Sequence, residues 1–224
     1  MMSGGPPHRI LALDASGAQA SIGIVDGNSL LAHRQSQSGS GLTDRLVLML
    51  AETLRDAAID PQTIDAIAVI VGPGSFTGIR AALALAHGFG QTAHIPVHGV
   101  RLTESFQQDL PNLTRPLWVA ATARRSQVFL ERDGIAASFA EDALPSPSLP
   151  IALAGERAIT VAARLAARDA NILLTSARVP SLCAIAGALR DRLGAGGVTI
   201  PPLPLYVDPP EAKLPAAGLR PAPV

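Results

Sequence analysis

The sequence predicts an α/β fold in which a mixed sheet carries helices on its faces. Three observations predict it. Residues 21–26 alternate apolar and polar and stop at Asp26-Gly27-Asn28, a hairpin signal. Residues 64–71 form a nearly continuous apolar run, suited to the middle of a sheet. Helical and strand patterns alternate from residue 42 onward.

Taken in order, residues 10–14 are a short apolar strand ending in an acid, 21–26 a second strand and 30–35 a returning third. The polar loop 36–41 leads to a helix at 42–58, closed by Asp60-Pro61. The central strand 64–71 then runs through a glycine turn into a helix at 76–91, followed by a strand at 95–100 and a short helix at 103–108. A hairpin followed by parallel crossovers makes the sheet mixed. The second half repeats this order faintly. Strands are expected at 117–121 and 127–132, a proline-rich loop at 144–150, a strand at 151–154, a helix at 156–168, a strand at 172–174 and a helix at 181–193. Proline crowding from residue 201 leaves little room there for helix or central strand.

Composition narrows the function. The 224 residues carry 18 basic and 18 acidic side chains, and aromatics make up 3%. Neutrality and few rings argue against autonomous nucleic-acid binding. Cys183 is the single cysteine, which excludes an internal disulfide framework, and its apolar setting reads as a small hydrophobe. The N-terminus has no apolar signal core, and no segment has the apolar length to span a bilayer, so a cytoplasmic location is expected. Apolar residues make up 48% and charged residues 16%, a surface short of charge for a monomer.

The two long helices sharpen that hint. On 42–58 the polar residues Asp44, Arg45, Glu52, Arg55 and Asp56 gather on one side. The apolar arc spans roughly 200°, about twice what one sheet contact needs. On 76–91 the large polar residues are Arg80, His87 and Gln91, within a sector of roughly 40°. Either these helices are buried between their own neighbours, or they form an interface with another subunit; the wheel supports both readings.

The turn VGPGSFTG, residues 71–78, invites catalytic readings. A nucleophile elbow around Ser75 needs glycines where Pro73 and Thr77 stand. Ser75 therefore reads as a helix N-cap. The turn lacks the Lys-Ser or Lys-Thr pair of a nucleotide-hydrolysis loop, although Gly74 and Ser75 could touch an anion at the helix start. Asp14-Ala15-Ser16-Gly17, at the end of the first strand, could sit beside a phosphate. Asp14, Ser16, Gly74 and Ser75 are thus the candidate anion or nucleotide contacts. His94 and His98 flank Pro96 with no acid or cysteine near them, so no metal site is expected.

Residues 10–27 resemble the first hairpin of the actin, Hsp70 and sugar-kinase superfamily. Residues 69–90 followed by 95–106 are similar to the signature of the TsaB (YeaZ) family. The resemblance implies two actin-like (ASKHA, RNase H-like) lobes: 1–103, carrying the partner-binding helices; 104–206, smaller and degenerate; and a flexible proline-rich tail, 207–224. It implies a non-catalytic subunit that pairs with a TsaD paralogue and the ATPase TsaE to support threonylcarbamoyl transfer to adenosine beside the tRNA anticodon. The partner interface would comprise Leu42, Leu46, Met49, Leu50 and Thr53 on the first helix, and Phe76, Ile79, Arg80, Leu83 and His87 on the second. No cofactor would be bound by the chain alone, no catalytic residue is assigned, and tRNA would be met only through the complex. A nucleotide at the subunit junction and a homodimer of the isolated chain stay open.

The sequence departs from the family pattern. Leu42 stands where a histidine is usual, Thr122 where an aspartate is, Ser126, Gln127 and Phe129 in place of Gly-Glu-Val-Tyr residues, and Asp208 where an arginine is. Residues 120–134 lack the acid and glycine pair of a second phosphate hairpin, which favours a scaffold over two alternatives. Those are a free-standing kinase or ATPase of the same fold, and a hydrolase or peptidase using Ser75.

Overall fold

The computed structural model describes residues 7–39, 41–124 and 126–207. The first sheet is built from β1 (Arg9–Asp14), β2 (Gln19–Asp26), β3 (Ser29–Gln37), β4 (Ala66–Gly72) and β5 (Val97–Arg101). Its order is β3-β2-β1-β4-β5, with β1, β4 and β5 parallel and the hairpins antiparallel. α1 (Leu42–Ala57) links β3 to β4, α2 (Phe76–Ala93) links β4 to β5, and α3 (Leu102–Asp109) leaves the sheet.

The second sheet contains β6 (Leu117–Thr122), β7 (Gln127–Arg132), β8 (Ile135–Ala140), β9 (Ile151–Ala154) and β10 (Ile172–Leu174), in the order β10-β9-β6-β7-β8. The two sheets share one topology, an antiparallel meander followed by parallel strands added beside its first member. The echo between halves is therefore a repeated lobe. α4 (Ala158–Ala166) and α5 (Leu182–Gly194) complete the helices.

The strand β8 was not expected from the sequence. Its signal is the Asp133-Gly134 pair, where both residues adopt positive φ (52° and 75°), as a tight hairpin turn requires. The helix expected at 156–168 begins at Ala158, and this leaves Glu156 in the preceding turn.

Alternation along β1 explains the layering. Leu11 and Leu13 face α1 and α2, whereas Ile10 and Ala12 face the other way. On that second side lie Leu102 and Phe106 of α3 and Leu182, Ile185 and Leu189 of α5, and beyond them Leu117, Val119 and Ala152 of the second sheet. α3 and α5 thus fill the space between the two sheets and share one core with both. α4 covers the far face of the second sheet through Ala158, Val161 and Leu165.

After α5 the chain returns along the first lobe. The Gly99 N–H donates to Ile200 O at 2.9 Å, and the Leu205 N–H donates to Val71 O at 2.8 Å. His87 Nε2 lies 2.9 Å from Pro202 O, so this strap also runs along the flank of α2. The flexibility expected of the tail, 207–224, and the departure at Asp208 fall, from residue 208 onward, outside the described residues.

Candidate partner face and interlobe cleft

α1 and α2 pack side by side on the first sheet, and that sheet takes most of their apolar surface. Leu42, Leu46, Met49, Leu50, Thr53, Ile79 and Leu83 are all buried, the leucines, methionine and isoleucine in a core shared with Leu13, Ile22 and Ile24. These seven side chains, expected at a partner interface, are buried within the chain itself, where α1 and α2 pack on their own sheet. A helical wheel gives the width of an apolar arc, but it cannot say which part of the arc the sheet covers.

What remains open is the flank. Val47 is 54% exposed and Leu48 62%, with Ala51 exposed beside them. On α2 the outward positions are Phe76 (48% exposed), Thr77, Arg80, Ala84, His87 and Gly88. Phe76, Arg80 and His87 are therefore the three predicted interface residues that reach the surface. The sequence does carry one signal for this exposed flank. Leu48 interrupts the polar side of its helix, between Asp44, Glu52 and Arg55, where a solvated helix has no use for leucine. The polar side itself is tied to β3: Arg34 donates to Glu52 at 3.2 Å and also pairs with Asp56.

Arg80 is held firmly. Its guanidinium stacks over the Phe76 ring at 3.7 Å and donates to the Tyr206 hydroxyl at 2.6 Å. Stacking and the hydrogen bond fix a cation at the edge of the exposed flank.

The four candidate anion contacts do come together. Asp14, at the end of β1, is 2% exposed, and its Oδ1 accepts the Ser16 N–H at 2.8 Å. Ser16 O accepts the Ser75 N–H at 2.7 Å, and Ser75 Oγ accepts the Gly78 N–H at 3.2 Å, the N-cap expected of it. The glycines here serve close approach. A Cβ on Gly74 would stand 2.2 Å from Ser16 O, and one on Gly78 2.0 Å from Ala15 O. The turn after β1 thus seats directly on the start of α2, and two of the helix's first donors are used internally.

Beside this turn lies the interlobe cleft, lined by Asp14, Ser16, Gln19, Phe106, Glu156 and Arg178 among others. It encloses room for about one water molecule. Burial pushes the Asp14 carboxyl above the usual carboxylate range; hydrogen bonds from Ser16 oppose the rise, and the nearby Glu156 charge adds to it. The helical pattern at 156–168 hides Glu156 in the sequence, whereas the structure puts it in the turn before α4. Thr122, the departure from the family aspartate, donates its hydroxyl to Glu156.

His94 caps α2 and is exposed, whereas His98 is half-buried, and burial lowers its pKa. Among the described residues no group of three or more His, Cys, Asp or Glu side chains could hold a metal ion. Cys183 is free, and it packs partly buried against the central core.

Two lobes of equivalent topology around a central cleft define an actin-like α/β protein. A family model described as TsaD, tRNA N6-adenosine threonylcarbamoyltransferase, matches residues 38–168. An uncharacterised protein of Mycobacterium tuberculosis is 34% identical over 158 residues, 66% of this chain and 74% of that one. The tRNA threonylcarbamoyladenosine biosynthesis protein TsaB of Escherichia coli is 28% identical over 123 residues, 54% of this chain and 53% of that one. YeaZ from Pseudomonas aeruginosa superposes with a TM-score of 0.71 at 21% identity, covering 88% of this chain and 99% of that one. The chain belongs to this TsaD-related family and stands with its TsaB/YeaZ members.

Proposed function

We propose that this chain is an accessory, non-catalytic subunit of tRNA threonylcarbamoyladenosine synthesis. It pairs with a TsaD-type transferase through the outer flank of α1 and α2, and TsaE joins the pair. The observation that carries this reading is the exposure of Val47, Leu48 and Ala51 on α1 together with that of Ala84 and Gly88 on α2. Two large aliphatic side chains facing water on one helix are stabilised when a partner covers them. The TsaB name of relatives at 28% identity supports the pathway. In this reading the site of action is the cytoplasm, and tRNA is met through the complex. Catalysis belongs to the partner, and any nucleotide sits at the subunit junction rather than in this chain's narrow cleft.

The test is co-elution of the cognate TsaD with wild type and with a Val47→Asp/Leu48→Asp variant. Both positions are more than half exposed, so the variant should fold. The expected result is loss of co-elution with unchanged circular dichroism, because two charges would be buried unpaired in the interface. Undiminished co-elution would show the face to be wrong.

A further inference from the structure

The interlobe cleft is closed by a contact from within the chain. Glu156 sits in the turn between β9 and α4, on the second lobe. Its Oε1 accepts the Ala18 N–H of the first lobe at 2.9 Å, and its Oε2 accepts the Thr122 hydroxyl. The same carboxylate packs on Gly17, where a Cβ would stand 3.3 Å from Oε2. We infer that Glu156 is a latch that fastens the second lobe to the β1–β2 turn and keeps the cleft shut.

Both ends of the latch are rigidly mounted. Gly155 has φ +97°, and a Cβ there would lie 2.5 Å from Ala120 O. Its N–H donates to Ala177 O at 2.9 Å, and the next residue but one, Arg157, donates its N–H to Ala120 O at 3.0 Å. Arg157 is also paired with Glu141. Glu156 is therefore aimed by a turn with little freedom to rotate away. On the first lobe, Ala18 O accepts the Ser38 N–H at 2.7 Å and Gly17 O accepts the Ser38 hydroxyl at 2.8 Å. A charge-assisted hydrogen bond between two braced turns resists opening more than one between loose loops.

The latch stands at the cleft itself. Glu156 lines the cleft together with Asp14, which is 2% exposed. A ligand entering the cleft would meet Glu156.

The test is native-state hydrogen exchange of wild type, Glu156→Ala, Glu156→Gln and Thr122→Val. The latch predicts exchange at least about tenfold faster at Ala18 in Glu156→Ala, with amides in β4 and α2 unchanged. Glu156→Gln keeps an oxygen able to accept from Ala18 and should stay close to wild type. Thr122→Val frees Oε2 and should fall between the two. Wild-type exchange at Ala18 in Glu156→Ala would overturn the latch, as would acceleration spread evenly over both lobes. Should Glu156→Ala fail to fold, Thr122→Val decides: unchanged exchange at Ala18 in that variant overturns it too.

Discussion

The Tyr206 hydroxyl lies 2.6 Å from the Arg80 guanidinium, so the end of the strap is fastened to the second helix 126 residues away. Behind it, Ile200 packs against the core of the first lobe, and Leu205 hydrogen-bonds to Val71 at the end of β4. The strap is thus anchored by packing and by backbone bonds more than by its terminal hydroxyl.

From that ranking, Tyr206→Phe should cost less than about 1 kcal/mol, because an exposed polar pair contributes little. Ile200→Ala should cost about 1–2 kcal/mol, the lower part of the range for losing a large aliphatic side chain, since Ile200 is partly buried. Urea unfolding of both variants checks the order. A larger loss from Tyr206→Phe would show that the hydroxyl, not the packing, holds the strap.

Leu46 and Leu48 are two residues apart on α1, yet they have opposite surroundings: 1% and 62% exposed. Leu46→Asp should unfold the chain or cost at least about 3 kcal/mol, since it buries a charge against the first sheet. Leu48→Asp should stay within about 0.5 kcal/mol of wild type in the free chain. Thermal unfolding of the two, measured without partner, separates a core leucine from a surface leucine.

Much of this architecture was legible in the sequence, and its failures have physical causes. The period-2 run of β2, the unbroken apolar β4 and the Ser75 cap each reflect local constraints, and local constraints leave local patterns. The exposed flank left only a faint mark, because burial in a core and burial by a partner demand the same residue types. Leu46 and Leu48 differ by which side of the helix meets the sheet, and that is a tertiary fact. Glu156 failed for a related reason. Its partner, Ala18, lies 138 residues away and contributes only a backbone N–H, which no side-chain pattern announces.

Asp14 gives a pH signature. Burial raises its folded carboxyl above the unfolded value, so folding favours the protonated form. The corresponding stability is fully present below the unfolded pKa of about 4 and is lost as pH rises through the folded pKa. Asp14→Asn keeps an oxygen for the Ser16 N–H and removes the buried charge. Its Tm should therefore exceed that of wild type at pH 7, and the advantage should close as pH falls toward about 4. A pH-independent difference would mean that the substitution acts through packing instead.

Three glycines of α2 and its turn answer differently to added bulk, and the difference divides folding from docking. Gly74 and Gly78 lie against the backbone of Ser16 and Ala15, with no space for a Cβ, so alanine at either should cost at least about 3 kcal/mol by prying the turn from the helix. Gly88 has nothing within 4 Å of a built Cβ and sits exposed within the helix. Alanine there should stabilise the free chain by about 0.5–1 kcal/mol, the ordinary helix preference. A helix that keeps a glycine at an open site forgoes that stability, which makes sense if another backbone approaches closely on the outer flank. Gly88→Leu should then raise the Tm of the free chain, because leucine is a good helix former, while weakening co-elution with the cognate TsaD. Stabilisation together with undiminished pairing would place Gly88 outside the contact and move the interface toward Val47 and Leu48.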